Sequence, residues 1–418
     1  MTVRRRPAGR RTRQGATSSG PLVGCELELE VGPVAHGGHC VARYDGRVIF
    51  VRHALPGERV IAKVTEDTGG SYARADAVRV LEPSPDRVAP ACAHAGPGRC
   101  GGCDFQHVSP DAQRRLKAAV VREQLARIAG TTDVAVTVEE LPGGPLGWRT
   151  RVQFAVDVDG RVGLRRHRSR QVEPVEHCPL ATTQADAVGA SRRTWPGASV
   201  VEVTAATGAG RAVRVTPRDP RAHPDLIGEP TLREVAAGRE WQVSAGVFWQ
   251  VHPEAASTLA GCVLDLLRPS AGQSALDLYC GAGLFAGVLA DAVGESGRVL
   301  AVEGDAVAVA DARVNLADRP WASVRRASVT PELVAGVSPS PDLVVLDPPR
   351  AGAGREVVAA VCRLAPRGVC YVACDPAALA RDVAEAGRHG YRLAGLRAFD
   401  LFPMTHHVEC VALLRPVD

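Results

Sequence analysis

Ser274-Ala275-Leu276-Asp277-Leu278-Tyr279-Cys280-Gly281-Ala282-Gly283-Leu284-Phe285 is the stretch that decides the fold. An apolar run that reads as a buried strand enters a glycine turn and leaves it as a helix. Glycine tolerates positive φ and lets a backbone approach a ligand closely. In open α/β sheets, ligands sit beyond the carboxyl ends of the strands, where such turns lie. A second strand, Val299–Val302, ends in Glu303, 22 residues after Gly281. An acid there can accept both hydroxyls of a ribose. Strand, turn, helix, strand and acid together point to an adenosine cofactor, against the blander reading of a tight turn with no ligand. Leu284, Phe285 and Ala286 stand before Gly287, which departs from the dinucleotide pattern and disfavours NAD.

Downstream, the pattern that begins at Gly246 continues. Strand-like runs ending in Gly, Asp or Glu alternate with helical stretches, which predicts a doubly wound parallel sheet. Leu343-Val344-Val345-Leu346 runs into Asp347-Pro348-Pro349-Arg350. Two prolines cannot continue a ladder, so Asp347 is held at the sheet's carboxyl edge. Gly368–Ala373 repeats the design and ends in Cys374-Asp375-Pro376. A strand end facing a helix N-terminus is expected to lower the thiol pKa of Cys374. His406-His407-Val408-Glu409-Cys410 then leads into the terminal strand, Val411–Leu414.

A thiol, an acid and a methyl donor fit one reaction. Carbon 5 of uracil is too poor a nucleophile to take a methyl group directly. A thiolate adding to carbon 6 makes carbon 5 nucleophilic, and a base must afterwards remove the carbon 5 proton. Cys374 and Glu409 suit those parts, and this chemistry makes S-adenosylmethionine the expected cofactor. Taken singly, a strand-end cysteine is more often a small buried hydrophobe, and a lone glutamate is usually solvated.

Gly246–Val251, Asp277–Phe285, Asp347–Arg350, Val372–Pro376 and Phe402–Cys410 resemble, in order and approximate spacing, the RNA 5-methyluridine methyltransferase family. The resemblance runs from about residue 21 to the end. It implies Cys374 as nucleophile and Glu409 as base. It also implies Gln250, Tyr279, Glu303 and Asp347 as the S-adenosylmethionine site, beside Gly281 and Gly283 of the glycine turn. His252 stands where the family usually has Asn, and Ser328 where Asp or Asn usually contacts the adenine, so Ser328 carries no role.

Upstream, Cys92, Cys100 and Cys103 follow C-x₇-C-x₂-C in a Gly- and Pro-rich loop, and Cys178 lies in His177-Cys178-Pro179. Three close cysteines and a distant one can make a tetrahedral sulfur site for zinc or iron–sulfur, or be incidental thiols. Family members with an N-terminal barrel carry a 4Fe-4S cluster, so the resemblance implies iron on these four, with a structural role. Twelve cysteines in a cytosolic chain are not a disulfide framework.

Residues 21–82 read as short strands with regular turns, a small β-barrel similar to the RNA-binding TRAM domain. Tyr44, Phe50, Arg52 and Lys63 are its candidate contacts. Pro110 opens a helix that Gly130 stops. Val152–Val158 and Val162–Leu164 form a hairpin flanked by Arg149, Arg151, Arg165, Arg166, Arg168 and Arg170. A helix is expected near Ala181–Arg193, and strands at Val200–Thr204 and Ala212–Val215. The expected domains are a basic disordered arm (1–20), the barrel (21–82), a central cysteine-rich α+β domain (83–245) and a Rossmann-like class I methyltransferase domain (246–418).

At 418 residues several domains are expected. Apolar residues make up 45% and charged residues 23%, which excludes a disordered chain, a collagen and a coiled coil. No run approaches the roughly 18 apolar residues of a membrane helix. The polar start is no secretory signal, so a cytoplasmic protein with no membrane partner is expected. The net charge of +4 is uneven, because residues 1–20 carry six arginines and no acid. Arginine excess is a weak binding signal here, since Lys63 and Lys117 are the only lysines. Expected partners are an RNA substrate, ribosomal before transfer RNA, and no obligatory protein. Methylation of transfer RNA or of a substrate other than RNA stands as the alternative.

Overall fold

The computed structural model describes residues 22–417, so the expected N-terminal arm lies outside it. Strands Glu26–Glu30, Val34–Ala35, His39–Tyr44, Arg47–Arg52, Arg59–Asp67 and Tyr72–Glu82 form one six-stranded sheet. Alternation along Glu26–Glu30 buries Leu27 and Leu29 and leaves three glutamates outside, the period of a half-buried strand. Their partners across the core include Ile49, Val51, Val60 and Ala75. Tyr72–Glu82 was not foreseen as a strand. Its alternation is carried by alanines (Ala73, Ala75, Ala77), which are weak strand formers.

Pro110–Gln124 is the expected helix, extended by one wider turn to Ala129, and Gly130 closes it with a left-handed φ of 66°. A central antiparallel sheet holds Arg151–Val156 and Val162–Arg165, the expected hairpin, together with Ala198–Ala205 and Arg211–Pro217. The helix expected over Ala181–Arg193 is only one turn, Thr183–Asp186, and a short 3₁₀ segment, Ala190–Arg192. Gly189, at a left-handed φ of 67°, breaks it.

The last sheet has eight strands. Ala322–Arg326, Arg298–Glu303, Ser274–Leu278, Leu343–Leu346 and Gly368–Ala373 lie side by side in that order, all parallel. Then come Glu409–Pro416, antiparallel to both neighbours, Tyr391–Asp400, and Val138–Glu140 at the edge. The sheet is therefore mixed rather than wholly parallel. The chain builds outward from Ser274–Leu278 in one direction, then restarts beside it with Leu343–Leu346. That reversal is a topological switch point, where such sheets open a crevice for ligands. The hairpin Thr231–Ala236/Arg239–Ser244 buries Trp241 against the helix Leu284–Val293. A Cβ on Gly287 would stand 2.5 Å from the Trp241 ring. The glycine that broke the dinucleotide pattern is thus a packing glycine.

Candidate active site

The glycine turn leaves Ser274–Leu278 through Tyr279, Gly281 and Gly283, all at positive φ. Asn315 braces it from behind, donating to the carbonyls of Ala282 at 2.9 Å and Gln242 at 2.8 Å. The Gly281 N–H donates to Glu303 Oε2 at 3.0 Å. Glu303 Oε1 accepts from the N–H groups of Gly304 and Asp305 at 2.7 and 2.8 Å. Gly281 and Glu303 line one pocket with Phe248, Asp305 and Val307. Phe248 and Val307 are 65% and 49% exposed, so two apolar side chains flank the acid without being covered. That is a cradle for a flat ring and a diol. Gln250 lies two residues past Phe248. His252 is a buried neutral ring, stacked on Trp148 with 6.1 Å between centroids and accepting the Glu254 N–H at 3.2 Å. Burial lowers its pKa to about 4.

Acids collect where the parallel strands end. Asp277 is fully buried; one oxygen accepts the Ala286 N–H at 2.8 Å and the other has no partner. Burial, then the charges of Asp347 and Glu303, push its pKa well up. Burial alone raises Asp347 to about 7. Glu409 is raised well above the usual range by burial and then by Asp347. Arg350 is the cation that opposes this at Glu409. Carboxyls raised in this way ionise more readily when a cation comes to lie beside them.

Cys374 and Glu409 come together through sheet register. Ala373 pairs with Cys410 across the antiparallel strands. Cys374 and Glu409 are the residues that flank this last pair, and the Glu409 charge acts on the thiol. The thiol is not lowered by its helix terminus. Burial, and next the charge of Glu409, raise it to about 11, and Arg350 pulls it back. Desolvation of a thiolate outweighs the partial charge of a helix end. Cys374 lines a cavity with Arg350, His407, Lys117 and a loop of the barrel, His36–Gly38. The His407 ring nitrogen lies 3.5 Å from the Arg350 guanidinium.

Two supports of this cavity were not foreseen. Lys117, fully buried, donates to Asp400 Oδ1 at 2.6 Å and to the Phe402 carbonyl at 3.1 Å. Removing one partner of such a buried pair typically costs about 3–5 kcal/mol. Its one signal in the sequence is the rarity of lysine in an arginine-rich chain. Asp104 accepts from His406 Nδ1 at 2.6 Å and from Arg52 at 3.2 Å. Arg52 is therefore 5% exposed and held internally, not a surface contact. Arg151 is likewise turned inward, donating to the Val247 carbonyl at 2.8 Å. Lys63, Arg165, Arg168 and Arg170 are exposed. Phe50 and Tyr72 meet edge to face at 5.6 Å, with Arg74 over both rings.

Cys92, Cys100, Cys103 and Cys178 line one pocket beneath Leu164 and Leu180. Backbone N–H of Gly102 and the Gln106 amide donate to Cys100 and Cys103 sulfurs at 3.4 and 3.5 Å. Among the described residues, no group of three or more His, Cys, Asp or Glu is disposed to hold a metal ion.

Comparison with known proteins gives the family. Residues 22–78 match the TRAM domain, 240–369 the methyltransferase small domain, and 340–417 the tRNA (uracil-5-)-methyltransferase model. The chain is 52% identical to an uncharacterised RNA methyltransferase of Streptomyces coelicolor, over 94% of each chain. It is 34% identical to the 23S rRNA (uracil(1939)-C(5))-methyltransferase of Alkalilimnicola ehrlichii, over 93% of this chain and 96% of that one. The fold matches the tRNA (uracil-54, C5)-methyltransferase of Pyrococcus abyssi, solved with S-adenosyl-L-homocysteine, at a TM-score of 0.69. That match has 23% identity and covers 93% of this chain and all of that one. The adjoining strand ends that carry Cys374 and Glu409 thus belong to a chain of the RNA uracil-C5 methyltransferase family.

Proposed function

We propose that this protein methylates carbon 5 of a uridine in 23S ribosomal RNA, with S-adenosylmethionine as methyl donor and Cys374 as a covalent nucleophile. The observation that carries the chemistry is the pairing of Ala373 with Cys410, which brings the strand ends bearing Cys374 and Glu409 together. Full-length similarity to a relative named for 23S rRNA uracil 1939 supports the ribosomal substrate.

Cys374 gives its proton to solvent and its sulfur bonds to carbon 6, moving the ring's electrons toward carbon 5. Bound S-adenosylmethionine would supply the methyl group that carbon 5 takes, leaving as S-adenosylhomocysteine. Glu409 then accepts the carbon 5 proton, the carbon 5–carbon 6 double bond returns, and the bond to sulfur breaks. Burial makes the ionised Glu409 a stronger base than an exposed carboxylate, and it must first release its own proton before it takes the one on carbon 5. Arg350 offsets the negative charge that builds on the thiolate side. Phe248 and Val307 flank the adenine, and Glu303 takes the ribose hydroxyls. Asp347, raised to about 7, ionises more readily beside a cationic donor than beside its neutral product. Gln250 and Tyr279 complete the donor's site. A uridine must leave its stack to reach Cys374, and a ribosomal substrate places the protein in the cytoplasm.

The four cysteines fit a 4Fe-4S cluster by their donor chemistry. All four are thiols on one half-buried pocket, and two already accept N–H donors, the kind of bond that tunes such clusters. Protein purified without oxygen should contain iron and acid-labile sulfide; stoichiometric zinc without iron would overturn this. The barrel's Arg74 platform, Lys63 and the exposed arginines Arg165, Arg168 and Arg170 form the RNA face.

Deleting the gene and mapping 5-methyluridine by mass spectrometry tests the substrate. Loss at one 23S position is expected. Loss confined to transfer RNA would keep the chemistry and reject the ribosomal assignment.

A further inference from the structure

The barrel does more than lie beside the catalytic sheet. Its loop after Val34–Ala35 runs along the mouth of the cavity that holds Cys374, with His36, Gly37 and Gly38 in the wall. His36 Nε2 meets Asp375 Oδ2 at 3.0 Å. Asp375 is the residue next to Cys374. Its other oxygen accepts the Ala378 N–H at 2.7 Å and caps the helix Pro376–Arg388. One carboxylate thus ties three things together: the cysteine's backbone, a helix N-terminus and the barrel.

The same loop presses on the second catalytic segment. Gly38 has a φ of +76°, and a Cβ there would stand 2.6 Å from the Cβ of His406. Only glycine permits that approach. His406 is held by Asp104, which is held by Arg52 on the barrel strand Arg47–Arg52. The barrel therefore grips the residue after Cys374 and a residue three before Glu409. Neither grip follows from sheet topology, since both catalytic strands belong to the other end of the chain.

We propose that His36 is a positioning residue for the reaction: through Asp375 it fixes the Cys374 turn, so that seating of the barrel and attack by the thiol are coupled. This rests on the methyl-transfer reading above. The charged groups around His36 are Asp375 and Arg381 on the helix Pro376–Arg388, and Glu123 on the helix Pro110–Gln124. The hydrogen bond to Asp375 raises the His36 pKa above its ordinary value. Below that pKa the contact is an ion pair; above it, a neutral hydrogen bond.

The test uses the full chain, S-adenosylmethionine and a 5-fluorouridine-substituted transcript of the 23S region around the position equivalent to uracil 1939. Fluorine at carbon 5 cannot leave as a proton, so the adduct stalls and is counted on a denaturing gel. His36 is 39% exposed, so its replacement should leave the fold intact, which thermal melting checks. His36→Ala should slow single-turnover adduct formation about tenfold at saturating RNA, with cofactor affinity unchanged, since small misplacements of a reacting group carry such costs. His36→Gln keeps a neutral donor at the Nε2 position and should recover most of the rate. The advantage of the native chain over His36→Gln should be present at low pH and vanish as pH rises through the His36 pKa. An unchanged rate for His36→Ala, or a loss confined to RNA affinity, would overturn the proposal. So would a native-to-Gln ratio that is flat with pH. Absence of any adduct with the native chain would overturn the methyl-transfer reading and this proposal together.

Discussion

Cys374→Ala should abolish turnover, by on the order of 10⁴-fold or more, the scale seen when a covalent nucleophile is removed. That corresponds to at least about 5.5 kcal/mol of lost barrier lowering. No covalent complex with 5-fluorouridine RNA should form, while S-adenosylmethionine binding stays, because Gly281 and Glu303 line a separate pocket. In the native chain the adduct rate should climb with pH. The thiolate is the reacting form, and burial and then Glu409 raise the thiol to about 11. A Cys374→Ala protein that still methylates carbon 5 would remove the cysteine from the mechanism. An adduct rate that falls as pH rises would contradict the thiolate.

Glu409→Gln should have a different signature. The first bond to RNA needs no base at carbon 5, so the adduct should form. Release needs the proton removed, so multiple turnover should fall by roughly 10²–10⁴-fold, the range of a lost general base. Native RNA should then stay attached after methyl transfer, visible as a protein–RNA band containing labelled methyl. Glutamine matches the shape of glutamate, and Glu409 begins a strand that is paired on both sides. A folding defect is therefore not expected, and melting temperature is the control. Free turnover in this variant would hand the proton to another group, with Asp347 first to be examined because burial already holds it near neutrality.

The βα crevice at Gly281 and Glu303 was legible because it is local. Strand, glycine turn and helix are consecutive, and Glu303 follows within one βα unit, so their geometry is set by neighbours in the chain. The packing glycine Gly287 was legible only as an irregular spacing. Its reason, Trp241, lies on a hairpin some forty residues earlier that the pattern did not reveal. The strand Tyr72–Glu82 was missed because small alanines carry its buried face. The expected lowered thiol pKa was wrong for a related reason. A helix N-terminus can be read from sequence, but the burial that outweighs it cannot.

By itself the sequence determined the α/β class, the strand ends that carry Asp347 and Cys374, the acid after the second strand, and the set of four cysteines. Each depends on residues within a few positions of one another, where periodicity and turn chemistry act. Only the tertiary structure decided that the terminal strand runs back beside Gly368–Ala373, pairs Cys410 with Ala373 and so brings Glu409 near Cys374. It also decided that Arg52 and Arg151 point inward, that Lys117 braces Asp400, and that a barrel loop closes the catalytic cavity. Those contacts join residues up to 339 positions apart. They arise from the burial and shape fit of whole sheets, which no local pattern encodes.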